Sequence, residues 1–256
     1  MQNELLKIGP ITIYGYGLMI ALGIFLAYRL VVYRAEKRQY NLSHIFSLTV
    51  WALTGGFIGA KVLYWITQFK NIINNPGILL NLGEGFVVFG GIIGGIAAGF
   101  VYCKVHKINF RQHMDLFVPS LALAQGCGRL GCQLAGCCYG HETDSPFGIT
   151  FHNSEFAPND VSLVPTQLIE SAYSFSLCIL LLFVAKRTNK PGLVACIYLI
   201  FYSLGRFIIE FYRGDIIRGE VGLFSTSQFI SLIVVLITSL LVFLSQYQTR
   251  FAGNKV

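Results

Sequence analysis

The feature that most constrains this chain is a series of seven mainly apolar stretches, each long enough to cross a bilayer as a helix of about 20 residues. They occupy residues 12–33, 45–66, 86–103, 114–137, 166–185, 192–212 and 224–246. Only 12% of the 256 residues are charged, whereas soluble domains carry roughly 25%. We therefore predict an all-α integral membrane protein with seven transmembrane helices in one polytopic domain. The first helix is expected to be retained rather than cleaved as a signal peptide.

The distribution of basic residues predicts the orientation, because cytoplasmic connections are enriched in Lys and Arg. The connections after the first, third and fifth stretches and the C-terminal tail carry eleven such residues, and the opposite side carries four. The longest connection on that opposite side, residues 141–164, has acidic residues and no Lys or Arg. We expect the N-terminus outside, the C-terminus in the cytoplasm, and a small extracytoplasmic portion from loops 67–85 and 138–165. Cytoplasmic anchoring explains the net charge of +7, and nothing points to nucleic acid.

Arginine inside a membrane-spanning stretch indicates function, because a guanidinium cannot lose its proton and is costly at the bilayer centre. Arg129 lies in the fourth stretch, and Arg206 and Glu210 lie in the sixth. Helical spacing places Tyr202 and Arg213 on the same face as that pair. Two interpretations remain open. Arg206 and Glu210 could form a structural ion pair, or the arginines could bind an anion, since they exceed the acids expected nearby.

Small and polar residues in other stretches predict packing and lining. The third stretch has two rows of glycines four residues apart within residues 90–99, which predicts close helix packing. Lys61 lies in the middle of the second stretch and is expected to face the bundle interior or a wet cavity. Gln167 and Glu170 follow Pro165 in the first turns of the fifth stretch, where Glu170 could be only a capping charge.

Four of the seven cysteines, Cys127, Cys132, Cys137 and Cys138, lie in or just after the fourth stretch. On a continuous helix, steps of five residues rotate by about 140°, so the first three point in different directions. Cys127 and Cys138 align but lie ~16 Å apart, too far for one metal ion. A zinc site would require the helix to break near Gly136. We predict small apolar packing residues and no metal site, with a disulfide near the outer boundary as the alternative.

Together these features resemble the prolipoprotein diacylglyceryl transferase family, bacterial enzymes that lipidate lipoprotein precursors. The similarity extends from about Tyr14 to Gln228. Two motifs, specific in combination, carry it: Gly128-Arg129-Leu130-Gly131 and Arg206-Phe207-Ile208-Ile209-Glu210-Phe211-Tyr212-Arg213. Supporting matches are Tyr16-Gly17-Leu18-Met19, Gly59-Ala60-Lys61, Gly90-Gly91-Ile92-Ile93-Gly94, Gly140, Pro165-Thr166-Gln167-Leu168 and Ser227-Gln228.

The resemblance implies transfer of the diacylglyceryl group of phosphatidylglycerol to a cysteine thiol in a prolipoprotein signal peptide, with release of glycerol phosphate. The implied place is the bacterial cytoplasmic (inner) membrane, and no cofactor is implied. The implied catalytic residues are Arg129, Arg206, Glu210 and Tyr16. The implied substrate-binding residues are Arg129, Arg206, Tyr202, Gln167, Gly90, Gly91, Gly140 and Lys61. The chemistry fits, because guanidinium donors stabilise the charge that builds up on a departing phosphate.

The chain departs from the family pattern at several positions. Phe89 stands where many members have a histidine, so a mechanism in which that histidine deprotonates the thiol cannot operate unchanged. Further departures are Cys132 and Cys137 in place of Asn and Glu, Lys61 in place of a more usual arginine, and Val164 in place of a histidine. Glu210, a tyrosine or the leaving phosphate oxygen remain as proton acceptors. Two other functions stay open: a related transferase with another acceptor, and a non-catalytic lipid-binding or transport protein.

Overall fold

The computed structural model describes residues 4–8, 11–79, 83, 85–215, 220–222 and 224–253. In this part of the chain the helices are α1 (Gly15–Lys37), α2 (Leu42–Thr67), α3 (Phe69–Asn74), α4 (Val88–Val105), α5 (Phe110–Ala135), α6 (Thr166–Arg187), α7 (Leu193–Glu210) and α8 (Thr226–Gly253). A 3-10 helix covers Pro76–Leu79. Within the predicted extracytoplasmic loop 67–85, residues 80–82 and 84 lie outside the described residues.

Six helices in the described residues are long and apolar enough to cross a membrane by length and composition: α1, α2, α4, α6, α7 and residues 226–244 of α8. Large apolar side chains on these helices point outward, with Val88, Ile179 and Leu236 exposed by 73%, 69% and 68%. Apolar surface of this extent suits contact with lipid rather than water. The chain is therefore a multi-pass integral membrane protein.

The fourth predicted span is a helix, but it is not among those six. α5 has 26 residues, which at 1.5 Å per residue exceeds the ~30 Å of a hydrocarbon core. Its sequence includes Arg111, Asp115 and Arg129, which lower its hydropathy. Length therefore supports a seventh span, while composition alone does not mark one.

Two predicted boundaries shift for local reasons. α1 begins at Gly15 rather than at residue 12, because Glu4–Ile8 (β1) and Ile11–Tyr14 (β2) pair as an antiparallel hairpin before it. α5 ends at Ala135 rather than at residue 137, because Gly136 has a φ of +74°. A glycine in this left-handed conformation commonly ends a helix.

The connection between α5 and α6 forms a small lobe with its own core. Ile149–Thr150 (β3) pairs antiparallel with Ser162–Leu163 (β4). Phe151, Ala157 and Leu163 are buried together in it. This lobe corresponds to the larger of the two loops expected to be extracytoplasmic. A further hairpin, Glu220–Val221 (β5) with Phe224–Ser225 (β6), precedes α8.

The chain divides into two compact units, of which one comprises residues 31–113. In this unit α2 and α4 meet through glycines: a Cβ atom added to Gly94 would fall on the carbonyl oxygen of Gly55. The same holds between Gly90 and Gly59. The predicted glycine packing of the third stretch is thus confirmed, because only residues without side chains allow two backbones to approach this closely.

Gly94→Ala is expected to force α2 and α4 apart and to lower stability. Overpacking of this kind costs about 1–3 kcal/mol, which corresponds to a fall in Tm of several degrees for a chain of roughly this size. Thermal unfolding in detergent measures the change. Gly99→Ala is the matched control, because a Cβ there meets only the Phe110 ring at 3.9 Å. Equal Tm values for the two variants would contradict the packing interpretation.

The second unit comprises residues 1–30 and 114–256, and its core lies between α5, α6 and α7. The buried apolar side chains are Val118, Ala122, Leu177, Cys178, Leu181, Ala185, Val194 and Tyr198. Asp115 of α5 accepts hydrogen bonds from the backbone N–H groups of Gly192 (2.6 Å) and Ala195 (2.8 Å) at the start of α7. These contacts fix α5, α6 and α7 relative to one another and thereby position their polar residues.

Candidate active site

Glu170 is the centre of a buried ionic cluster in the second unit. Its side chain lies on α6, shortly after the start of the helix at Thr166, and is 4% exposed. One carboxylate oxygen, Oε1, lies 2.7 Å from Nη2 of Arg129 and 3.4 Å from Nη1 of Arg206. The other oxygen, Oε2, lies 3.9 Å from Nη1 of Arg213, an ion pair too long for a hydrogen bond. Glu170 therefore joins three arginines.

Arg206 is held by further partners. Its Nη2 lies 2.5 Å from Oε2 of Glu210, one turn later on α7. The same Nη2 donates to the hydroxyl of Ser227 at 3.4 Å. Glu210 also accepts a hydrogen bond from the hydroxyl of Ser225 at 2.9 Å, so the start of α8 is tied to the end of α7. Of the two interpretations left open by the sequence, the structure shows the ion pair between Arg206 and Glu210.

α7 ends at Glu210, so Arg213 lies after the helix rather than on it. It forms a bidentate pair with Asp215, with Nε to Oδ1 at 2.8 Å and Nη2 to Oδ2 at 2.6 Å. A short backbone bridge pairs it with Gly140. Arg213 is thus a fixed positive charge beside the cluster.

The expectation that the arginines exceed the nearby acids is wrong. The sequence places no acid in the same span as Arg129, but tertiary packing brings Glu170 from the next helix. In the described residues three arginines (Arg129, Arg206, Arg213) meet three carboxylates (Glu170, Glu210, Asp215). Charge imbalance therefore gives no argument for an anionic ligand, and Glu170 is more than a capping charge.

Access distinguishes the arginines from one another. The side chain of Arg129 is 22% exposed, against 10% for Arg206 and 3% for Arg213. Among the described residues its one ion pair is with Glu170, which leaves further N–H donors of the fork available. Tyr16 is 42% exposed, and its hydroxyl lies within electrostatic range of Arg129, as does that of Tyr202. This is the open side of the cluster.

Local packing brings Tyr16 to Arg129. A Cβ atom on Gly131 would lie 3.2 Å from the Tyr16 ring, so this glycine allows α5 to approach α1 closely. Tyr202 stacks on Tyr198, whose hydroxyl donates to Oε1 of Gln125 at 2.9 Å. The predicted site residues of spans one, four and six are therefore brought together.

Gln167 and Gly140 contact backbone carbonyl groups around the turn that follows α5. Gln167 is fully buried, and its Nε2 donates to the carbonyl of Cys137 at 2.9 Å. A Cβ atom on Gly140 would lie 2.5 Å from the Val164 carbonyl oxygen and 2.8 Å from that of Tyr212. Their observed contacts fix the turn after α5, and contact with substrate stays a prediction for both.

Lys61, Gly90 and Gly91 belong to the other compact unit, residues 31–113. Lys61 is buried, as predicted, with its ammonium 5.1 Å from the centre of the Phe86 ring and 5.2 Å from that of Tyr64. Gly90 packs against α2, and a Cβ atom on Gly91 would lie 3.4 Å from the Gly56 carbonyl oxygen. Their predicted contact with substrate stays a prediction.

The expectation that Cys132 and Cys137 point in different directions is wrong, and Cys138 joins them. The sulfur atoms of Cys132, Cys137 and Cys138 lie within 4.8 Å of one another. The prediction assumed a continuous helix, whereas α5 ends at Ala135 and the chain turns back at Gly136. Hydrogen bonds from the thiols of Cys132 and Cys137 lower the pKa of the Cys138 thiol, with nearby Arg213 and Arg129 acting in the same direction.

Three features of the site were missed from the sequence: the central place of Glu170, the Arg213–Asp215 pair and the cysteine cluster. Glu170 had a signal, because an acid in the first turns of an apolar span must find a cationic partner. The helix end at Gly136 also had one, since Gly is the usual residue just past a helix. Asp215 carried no signal, because it lies outside any span.

Comparison with known proteins identifies the family of this chain. A sequence profile of the family described as prolipoprotein diacylglyceryl transferase matches residues 3–244. The phosphatidylglycerol–prolipoprotein diacylglyceryl transferase of Clostridium tetani is 49% identical over 237 residues, which cover 93% of this chain and 95% of the relative. Two proteins of corresponding name, from Clostridium perfringens and Finegoldia magna, are 44% and 31% identical over 238 residues, 92% of each chain. The chain belongs to the prolipoprotein diacylglyceryl transferase family.

Proposed function

We propose that this protein transfers the diacylglyceryl group of phosphatidylglycerol to the thiol of a cysteine in a prolipoprotein and releases glycerol phosphate. The observation that carries the proposal is 49% identity, over nearly the full length of both chains, to a protein named for this reaction. The acceptor cysteine lies in the lipobox of a signal peptide, and the reaction is the first step of lipoprotein maturation. The protein acts in the bacterial cytoplasmic (inner) membrane.

Arg129 and Arg206 bind the phosphate of the lipid. As the carbon–oxygen bond to phosphate breaks, negative charge grows on the phosphate oxygens, and fixed guanidinium donors stabilise it. Arg129 supplies the accessible donors, since its side chain is the most exposed of the three arginines. Glu170 holds Arg129 and Arg206 by a shared oxygen, so both guanidiniums are oriented before substrate arrives. The transfer reaction requires no nucleophile from the enzyme, because the attacking sulfur belongs to the acceptor.

Proton transfer is assigned to groups on the open side. Glu210 is engaged by Arg206 and Ser225, and its contribution is to orient Arg206. Tyr16 is exposed and lies within electrostatic range of Arg129, which suits a hydroxyl that contacts the reacting groups. We propose that the departing phosphate accepts the thiol proton and that the Tyr16 hydroxyl forms a hydrogen bond with this phosphate. Tyr202 and Gln167 complete the head-group site, with Gly140 included on the family resemblance alone. For Lys61, Gly90 and Gly91, which belong to the other compact unit, contact with substrate stays a prediction.

We propose seven spans in one polytopic domain, in which α5 crosses the membrane in addition to the six apolar helices. The N-terminus lies outside and the C-terminus in the cytoplasm, which follows from the distribution of Lys and Arg. The lobe between α5 and α6 is then extracytoplasmic and lies on the same side as the end of α7. The arginine cluster sits toward that side, where a translocating signal peptide emerges.

A two-substrate assay tests the proposed function. The purified full-length protein is incubated in phosphatidylglycerol vesicles with a peptide that carries a lipobox cysteine. We expect a thioether-linked product and an equal amount of glycerol phosphate, with neither formed from the same peptide bearing serine in place of cysteine. Glycerol phosphate released independently of the peptide would indicate another acceptor. Lipid binding without any product would indicate a binding or transport protein.

A further inference from the structure

Three cysteine sulfurs converge next to the arginine cluster, and the roles assigned above do not use them. Cys132 lies in the last turn of α5, and Cys137 and Cys138 follow the helix end. Gly136 and Cys138 have φ values of +74° and +64°, so the chain reverses and returns the two later thiols to Cys132. The result is the mutual separation of at most 4.8 Å.

Hydrogen bonds hold the backbone of the turn that carries the three thiols. The backbone N–H of Cys137 donates to the carbonyl of Cys132 at 3.1 Å. The carbonyls of Cys137 and Cys138 accept hydrogen bonds from the side chains of Gln167 and Thr166, both at 2.9 Å. Both of these α6 side chains are fully buried. The thiols are therefore placed before any ligand binds.

The geometry fits a tetrahedral thiolate site. Zinc–sulfur bonds of about 2.3 Å in a tetrahedron require sulfurs ~3.8 Å apart, so each must move by less than about 1 Å. Three protein ligands and one open position is the pattern of a catalytic zinc site. The site lies close to the arginines, because Cys132 follows Arg129 by three residues on α5 and Gly140, just after Cys138, pairs with Arg213.

A disulfide explains the cluster less well. Adjacent Cα atoms are 3.8 Å apart across a trans peptide, below the 4.4–6.8 Å usual for disulfides, which argues against a bond between Cys137 and Cys138. A bond from Cys132 to either of them would leave the third thiol without a role in the cluster. Three converging thiols match a metal better than they match one covalent pair.

We infer that Cys132, Cys137 and Cys138 bind a zinc ion whose open fourth position takes the thiol of the acceptor cysteine. The second half of this inference rests on the proposed function. A thiol bound to zinc is deprotonated, which supplies the thiolate that the transfer needs. The cluster is well placed for this, because Thr166 and Gln167, which bind the carbonyls of Cys138 and Cys137, lie on α6 within a turn of Glu170.

The step balances without an oxidant or reductant. The acceptor thiol loses its proton on binding zinc, and its sulfur forms a bond to the glyceryl carbon. The bond from that carbon to the phosphate oxygen breaks, and its electron pair leaves with glycerol phosphate, which takes up the proton. The thioether product is a weaker zinc ligand than the thiolate, so the fourth position is released for the next acceptor.

Metal content tests the first half. The full-length protein is purified under reducing, anaerobic conditions without chelator, and zinc is measured by mass spectrometry. We expect about one zinc per chain and its loss when all three cysteines are replaced by alanine. Cys127→Ala is the matched control, because Cys127 is buried on the same helix outside the cluster, and it should keep the metal. Cys138→Ala alone should weaken zinc binding at least tenfold, and Tm values confirm that each variant is folded.

Cobalt substitution tests the second half. Co²⁺ in a thiolate site gives charge-transfer and tetrahedral d–d absorption bands. Adding the lipobox peptide should shift the d–d bands, and the serine-containing peptide should leave them unchanged. The metal site would be overturned by any of three results. These are no binding of zinc or cobalt by the reduced protein, metal binding that the triple variant retains, and a disulfide within the cluster. Unchanged bands with the cysteine peptide would overturn the fourth-ligand assignment. Thioether formation by metal-free protein would leave the proposed function standing and reject the fourth-ligand assignment.

Discussion

Arg129→Lys is expected to abolish most of the transfer activity although the positive charge is kept. Lysine can still pair with Glu170, but its ammonium is a compact point charge and lacks the planar fork that binds two phosphate oxygens at once. Loss of a donor that acts on the developing charge typically reduces kcat by about 10²–10³-fold. Because the lost interaction is strongest in the transition state, kcat should fall more than KM rises. Release of glycerol phosphate as a function of phosphatidylglycerol concentration measures both.

Arg187→Lys provides the control for this experiment. Arg187 is exposed at the cytoplasmic end predicted for α6 and lies over the Phe183 ring, away from the ionic cluster. Its replacement should leave kcat and KM near wild type, which shows that the assay responds to Arg129 specifically. Near-normal turnover by Arg129→Lys, with a wild-type Tm, would argue against direct contact between Arg129 and phosphate.

Glu170→Gln is expected to destabilise the protein strongly. The substitution keeps the shape of the side chain but leaves Arg129, Arg206 and Arg213 with only Glu210 and Asp215 as counter-charges. Removing one partner of a buried ion pair costs about 3–5 kcal/mol, because the remaining charge is left without compensation. For a chain of this size, that corresponds to a fall in Tm of roughly 10 °C. Thermal unfolding in a neutral detergent measures it.

Anionic lipid should partly reverse this loss. The Glu170→Gln cluster carries excess positive charge, so phosphatidylglycerol is expected to raise its Tm more than it raises that of the wild type. Glu36→Gln is the control, since Glu36 is an exposed acid near the end of α1. A wild-type Tm for Glu170→Gln would mean that other groups compensate the charge of the arginines. An equal rise in Tm with phosphatidylglycerol for Glu170→Gln and the wild type would contradict the link between the cluster and the phospholipid.

Six of the predicted spans correspond to helices that are long and apolar enough to cross a membrane, and they could be predicted because hydropathy is a local property. Long apolar runs have few alternatives in a membrane, where each backbone polar group must be satisfied within its own helix. The glycine rows were equally readable, because the spacing of four residues fixes one helix face and Gly90 and Gly94 have no side chain to hinder contact. The same reasoning placed Arg206 and Glu210 together, since partners one turn apart need no tertiary information.

Partners from different helices could not be predicted in the same way. Arg129 had no acid in its own span, and only packing of α5 against α6 brings Glu170 within 2.7 Å. The apparent excess of arginine therefore disappeared once the helices were assembled. The convergence of the cysteines was missed for a related reason. The predicted helix continued through Gly136, whereas α5 ends at Ala135 and the turn at Gly136 brings Cys137 close to Cys132.

The sequence by itself thus determined the membrane class, the helices, the glycine faces and the two arginines, because hydropathy, periodicity and charge act over a few turns. The tertiary structure decided that Glu170 joins three arginines, that Arg129 is the accessible one, and that three thiols converge beside it. These contacts depend on how α5, α6 and α7 pack and on where the chain turns between them. Neither the spacing within one helix nor its composition contains that information.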